Sequence, residues 1–459
     1  MRPRPTRPSV ERELTSEVVP ISPRWRADAT AMLSLYIWML LFIPSLLVFG
    51  PLGSAGTPAQ LLAVGLFLWW LVDRVRQIGI SPQASSALHL ALTVLAVSLL
   101  IAYVASMTRP INGMEINGSD RSLIALLAWT GVALTASDGI RSLERLDVVV
   151  RRLSVAGAVI AALGVFQFLT HRLWVDLITI PGLVFNTDIE ATAARGGLTR
   201  VSGTAIHPIE YSVALAMCLP LALHCALHHR HLKPVQRWWP VALLALAAPT
   251  TLSRTMVLCV TVSLTFLVVS WEPRQRIAMV LGAMGLLVGM YLTVPGMIST
   301  MTSLFTGIRN DGSARSRTDS YGIAFEYIAQ APWFGRGFGT FLPRYRILDN
   351  MVLNILIGGG FIGLIGVLSA LIVPIVLGYR MSRRLPDSST RALARALAAS
   401  VIAGLVSFAT FDALGFPMVP CVMFLIVGCI GAAHRLTGHQ SVRTAAAATT
   451  PSPSSAKLR

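Results

Sequence analysis

The sequence predicts an all-α polytopic membrane protein, and three features carry that reading. Only 13% of its residues are charged and 54% are hydrophobic, whereas soluble domains carry about 25% charged residues. Mean hydropathy is +0.66. Apolar runs of bilayer-crossing length, about 20 residues each, recur between residues 31 and 434.

The first run, 31–49, follows thirty residues that hold six arginines, with no small-residue cleavage site after it. It reads as a first span, not as a cleaved leader. Further runs lie near 57–73, 86–106, 121–137, 150–169, 208–226, 238–252, 254–271, 277–294, 350–379, 391–411 and 414–434, which makes about 12 transmembrane helices. Between the seventh and eighth, the apolar sequence is nearly continuous. Pro249, the Thr pair and Ser253-Arg254 divide it into two.

Alternate loops are basic: Arg74 and Arg76, then Arg141 to Arg152, Arg230 to Arg237, Arg274 and Arg276, and Arg380 to Arg395. Lys and Arg in short loops fix orientation, so both termini are expected in the cytoplasm. Residues 1–30 and 435–459 read as disordered cytoplasmic tails around a membrane domain at 31–434, being Pro/Arg-rich or low in complexity. The net charge of +17 belongs to this orientation signal, and nucleic-acid binding is not expected. The partner that composition implies is the lipid bilayer. Cys218, Cys225, Cys259, Cys421 and Cys429 fall inside apolar runs without CxxC spacing, so they read as small buried hydrophobes.

Two outer loops are long, about 170–207 and 295–349, and loops of that length are usually functional or disordered. The first ends in GGLTRVSGTAIHPIEYSVAL, which sets Arg200, Gly203, His207 and Glu210 beside the sixth span. Pro208 suits a first helical turn, where its missing N–H costs nothing. TTLSRTMVL puts Arg254 at the outer end of a span with no acidic neighbour in sequence, an expensive placement that marks a functional candidate.

In the second loop, Tyr321, Ala324, Phe325 and Ile328 have helical spacing and predict a short amphipathic helix from about Asp319 to Ala329, preceded by Arg315 and Arg317. PWFGRGFG, 332–339, supplies glycines, Gly335 and Gly337 among them, for a tight turn. It is no dinucleotide fingerprint, since no strand precedes it. Asp349 and Asn350 stand where the chain re-enters the membrane, and either can cap the helix. Gly358, Gly359, Gly360 and Gly363 then weaken that helix or admit a close backbone. The cluster His224, His228, His229 and His231 falls at the opposite, cytoplasmic end and reads as interfacial, so no metal is expected.

In order and spacing, these pieces resemble the O-antigen ligase and polymerase superfamily of bacterial surface-polysaccharide assembly. The resemblance covers about residues 195–430. It rests on RxxGxxxHP before a span, SR at the outer end of a later one, and Arg-xxx-aromatic followed by PxFGxGxG. The last piece is [His or Asp]-Asn-x9-Gly-x-x-Gly, which Asp349, Asn350, Gly360 and Gly363 fit. Ligases of the family typically carry His where this chain has Asp349. The resemblance implies a glycosyltransferase that uses no metal and no cofactor. It would take oligosaccharide from an undecaprenyl-diphosphate carrier on the outer membrane face and pass it to a glycan acceptor, with a chain-length regulator or flippase as further partners.

The residue chemistry agrees. Guanidinium groups bind diphosphate oxygens through paired charge-assisted hydrogen bonds, which assigns Arg200, Arg254, Arg315 and Arg317 to the leaving diphosphate. Asp349 takes the place of the family's His as base, with His207 in reserve. A polymerase is the leading reading, a ligase shares the site logic, and a transporter is the rival from another class. Transporters bind near mid-membrane through broken helices, whereas polarity here gathers at the outer surface. A scaffold without catalysis would leave the outer arginines without a role.

Overall fold

The computed structural model describes residues 28–76, 86–186, 194–195, 198–306 and 312–449. Its helices are α1 (Ala29–Phe42), α2 (Pro58–Arg76), α3 (Ser86–Met107), α4 (Gly113–Gly139), α5 (Leu143–Thr170), α6 (Pro208–His228) and α7 (Pro234–Thr250). They continue with α8 (Arg254–Val268), α9 (Pro273–Thr293), α10 (Met297–Thr306), α11 (Gly312–Gln330), α12 (Met351–Arg384), α13 (Ser388–Ser407) and α14 (Met418–Thr449). The chain is an all-α polytopic membrane protein. Each of the twelve apolar runs coincides with a helix. Among the described residues, nine helices are long and apolar enough to cross a membrane, while α1 and α8 are shorter apolar helices. α7, with 17 residues, is short as well.

α6 is the centre of the bundle. Every residue from Glu210 to Ala226 is buried, and Tyr211 donates across to the Ile160 carbonyl of α5 (3.1 Å). α9 lies at the other extreme, with Ile277, Val280, Leu281 and Met284 all exposed. On a membrane helix such a face meets lipid, where apolar exposure costs nothing. The division of α7 from α8 falls where Pro249 and Ser253 place it. Leu252, buried with φ +46°, makes the bend, and the Ser253 hydroxyl caps α8 at the Met256 N–H (3.4 Å). A β-carbon residue in the left-handed region is strained and persists only where its surroundings hold it.

Several features depart from the sequence reading. Leu47–Val48 pairs antiparallel with Val184–Phe185, and Ala194–Arg195 with Leu198–Thr199. α10 lies within the segment taken as loop, and α11 begins at Gly312, before Asp319. The expected stripe on α11 splits. Ala324 and Ile328 pack with Leu348, Leu353 and Ile357, whereas Tyr321 and Phe325 are exposed. α14 runs to Thr449, past the expected boundary at 434. All five cysteines are free and buried.

The glycine run in α12 breaks the helix at Gly360, where φ is +61° and ψ −162°. The PWFGRGFG turn fills the break. The N–H groups of Phe361 and Ile362 donate to the Pro332 and Trp333 carbonyls (2.9 and 3.2 Å), while Arg336 and Gly337 donate to Ile357 and Gly358 (both 2.8 Å). The backbone groups freed by the kink are thus satisfied by a second piece of chain, the condition for irregular backbone at membrane depth. Arg109, at the end of α3, donates to the Arg336 carbonyl (2.9 Å) and pairs with Glu115 (3.1 Å), and the Tyr345 hydroxyl donates to the same Glu115 (3.0 Å).

A β-carbon on Gly360 would sit 2.4 Å from the Trp333 carbonyl, and one on Gly335 would sit 2.4 Å from that of Gly358. At Gly363, only Ile355 would be met, at 3.9 Å. The expectation is that Gly360→Ala lowers the Tm measured in detergent. The backbone penalty alone is about 1–3 kcal/mol, with the clash in addition. Gly363→Ala should leave the Tm equal or higher, since Ala favours helix. Equal Tm values for the two variants would refute this account of the kink.

Candidate active site

Four helix N-termini meet at one end of the bundle, and backbone capping shows how each is held. His207 is the N-cap of α6, its Nδ1 accepting the Ile209 N–H (3.1 Å). Ser253 caps α8 and also contacts the Ser212 hydroxyl of α6 (3.4 Å). Asn350, not Asp349, caps α12 by accepting the Leu353 N–H (3.2 Å). Glu210 uses both oxygens: one accepts the Ile206 N–H (2.9 Å), the other the Met418 N–H at the start of α14 (2.7 Å). Thr255 and Thr410 share a hydrogen bond (2.9 Å), and the Met351 N–H donates to the Phe408 carbonyl (2.8 Å). Each N-terminus carries roughly half a positive charge, so this mouth is electropositive before any side chain is counted.

The sequence-predicted residues divide into those the fold gathers here and those it uses otherwise. Arg200, beyond the Leu198–Thr199 strand, and Asp349, before α12, both lie close enough to His207 for their charges to act on it. Arg254 is the first residue of α8. It stands between Ser253, tied to α6, and Thr255, tied to the α13–α14 connection. Gly203, with φ +58°, is clamped by Gln167 through its N–H and carbonyl (2.9 and 3.0 Å). Gly335, Gly337 and Gly360 serve the kink. α11 carries Arg315 and Arg317 near its start, but their side chains lie outside the described residues.

His207 is enclosed by Phe411 and Phe416, with ring centroids 6.4 and 5.8 Å away. Burial lowers its pKa to about 4, Arg200 acts in the same direction, and Asp349 opposes. The imidazole is therefore neutral at pH 7. Because Nδ1 accepts the Ile209 N–H, the tautomer assigned from that bond keeps the proton on Nε2. His207 thus presents an N–H donor at its free nitrogen, the wrong form for a base.

A residue the sequence reading passed over completes the cluster. Asp412, in the connection between α13 and α14, is hydrogen-bonded by Asn354 of α12. Burial is the chief cause that lifts its carboxyl to about 6, and the charge of Asp349 adds to it. Two carboxylates whose environments differ are the usual arrangement for acid–base work. The available signal was a lone acid in FDALGFP, in a short turn at the same end as Arg200 and Arg254. Beside the cluster, past Phe416, a cavity of about 170 Å³ is bordered by Gln60, Arg121, Asn186, Ile206 and Phe338.

Compared with known families, residues 239–368 match the sequence model of O-antigen ligase. That match supports the resemblance to the O-antigen ligase and polymerase superfamily. That stretch runs from within α7 past the kink of α12, so it holds Arg254, the 332–339 turn, Asp349 and Gly360. Arg200 and His207, which the sequence resemblance singles out, lie before it, and Asp412 lies after it. Comparison with curated proteins gives no significant match.

At the far end of the bundle, Asp147, His224 and His229 offer ligand atoms within 4.8 Å of one another and could hold a cation. There the His229 Nε2 meets the Asp147 carboxylate at 2.9 Å. α6 separates this cluster from Asp349, so it has no part in chemistry at the opposite mouth.

Proposed function

We propose that this protein transfers oligosaccharide from a polyprenyl-diphosphate carrier to a second glycan chain, as a repeat-unit polymerase. The observation that carries the reading is the meeting of four helix N-termini with Arg200, Arg254 and a carboxylate pair at one mouth of an apolar bundle. Helix N-termini bind phosphate oxygens, and arginine adds charge and a planar fork. The same groups stabilise charge as it develops on the departing diphosphate, which needs no metal.

The assigned chemistry is a displacement at the anomeric carbon. The acceptor hydroxyl gives its proton to Asp349, and its oxygen bonds to the anomeric carbon. The bond from that carbon to the diphosphate oxygen breaks, and the diphosphate leaves with the electron pair. His207 donates through Nε2–H to substrate oxygen. Arg315 and Arg317 join Arg200 and Arg254 on the diphosphate. The cavity past Phe416, with its amide, guanidinium and aromatic border, suits an acceptor sugar. We place this mouth on the outer membrane face and both termini in the cytoplasm, in keeping with the alternation of basic loops.

The test is an assay of the purified protein in detergent with a lipid-linked oligosaccharide, with and without EDTA. The expected product is a ladder spaced by one repeat unit, undiminished by the chelator. A single-step shift of an added lipid or protein acceptor would assign the ligase mode instead. If the donor passes to no acceptor at all, the transfer reading fails.

A further inference from the structure

A second cavity, of about 340 Å³, opens between α1, α5 and α7 at the end of the bundle opposite His207. Its lining combines two chemistries: the guanidinium groups of Arg151 and Arg152 of α5 and of Arg237, in the first turn of α7, and the apolar side chains of Trp38, Val155 and Pro240. Trp38 is 37% exposed on α1, so the apolar lining reaches the surface of the bundle.

Among the described residues, no carboxylate pairs with Arg151, Arg152 or Arg237. Asp147, nearby on α5, is engaged by His229 at 2.9 Å, and Asp28 by Arg145 at 2.5 Å. Arg152 donates to the Ser34 hydroxyl, a neutral partner that orients the guanidinium without discharging it. The Arg237 Nε is buried and has no hydrogen-bond partner among the described residues. A buried donor without a partner favours an acceptor oxygen beside it.

We propose that this slot binds an anionic phospholipid, its phosphate on Arg151, Arg152 and Arg237 and its acyl chain along Val155, Pro240 and Trp38. Basic pockets between helices at the membrane surface take such headgroups. A soluble phosphate ester would use the arginines but leave the apolar lining uncovered. A zwitterionic lipid would cover that lining but bring its own cation to the arginines. The site is independent of the glycan-transfer reading.

The test uses the full-length protein, delipidated in detergent, with phosphatidylglycerol, phosphatidylcholine and inorganic phosphate as separate probes. Native mass spectrometry and Tm are the readouts. Phosphatidylglycerol should remain as a bound adduct and raise the Tm, while the other two should do neither. Arg151→Gln/Arg237→Gln should weaken phosphatidylglycerol binding by roughly thirtyfold, at about the free energy of two surface cations. Val155→Phe, which fills the slot and keeps every arginine, should abolish the adduct and decides the matter if the double variant does not fold. Equal protection by phosphatidylcholine, or full protection by phosphate alone, overturns the proposal. So does a folded variant of either kind that keeps native affinity.

Discussion

Asp349→Asn is expected to reduce glycan transfer by about a hundredfold or more, the scale of a general-base contribution, with the yield of folded protein unchanged. The structure removes the competing explanation. Capping of α12 falls to Asn350, so Asp349 is not needed to hold the helix end, and Asn at 349 disturbs no cap. Asp349→His should keep measurable activity and move the pH profile toward the imidazole range, near roughly 6.5. Transfer at the native rate by Asp349→Asn would place the base elsewhere, and Asp412 would be the residue to test.

The same variant carries a stability signature. Asp412, lifted to about 6 chiefly by burial, favours the folded state below the ordinary carboxylate pKa near 4. That contribution is lost as pH rises through about 6. His207, lowered to about 4 chiefly by burial, runs the other way. Its contribution is present above about 6.5 and lost as pH falls through about 4. The charge of Asp349 raises both pKa values, so removing it shortens the loss from Asp412 and extends the gain from His207. Relative to the native protein, Asp349→Asn should therefore gain Tm between pH 4 and pH 6. Parallel curves would mean that Asp349 lies too far away to act on either group.

Helix positions were legible because lipid imposes a length and a composition on each span, and both are written locally. The bends were legible for the same reason: Pro249 and Ser253 divided α7 from α8 where the chain turns. Local pattern did not separate Gly360 from Gly363. The four glycines look alike in sequence, and only the docking of Pro332–Gly337 selects the one that must take a positive φ. Asp412 was hidden by the same kind of distance. Its meaning depends on Asn354 and Asp349, which come from another helix. Glu210 looked like part of an outer polar cluster, yet it is a structural cap whose second oxygen serves Met418. His207 was legible as a candidate, but the form of its ring was not, because the tautomer is assigned from one backbone N–H.

Arg254→Ala should lower transfer by about a hundred- to a thousandfold, the usual loss when one preorganised stabiliser of developing negative charge is removed. A cation at a helix N-terminus opposes the helix dipole, and the first turn of α8 contains no acidic residue to offset it. A bound anion at this position reverses that local balance. The neighbours fix its place, for Ser253 reaches Ser212 of α6 while Thr255 reaches Thr410, two residues from Asp412. Removing the guanidinium should leave both contacts intact, so the rate should fall far more than any change in the substrate-free Tm accounts for. Arg254→Lys should recover only part of the rate, since lysine restores the charge but not the two-pronged hydrogen bond. Detergent-purified variants, compared by initial rate and by Tm, would separate the two roles. A rate that falls only as far as the Tm does would make Arg254 an anchor of the bundle and leave the diphosphate to Arg200 and the arginines of α11.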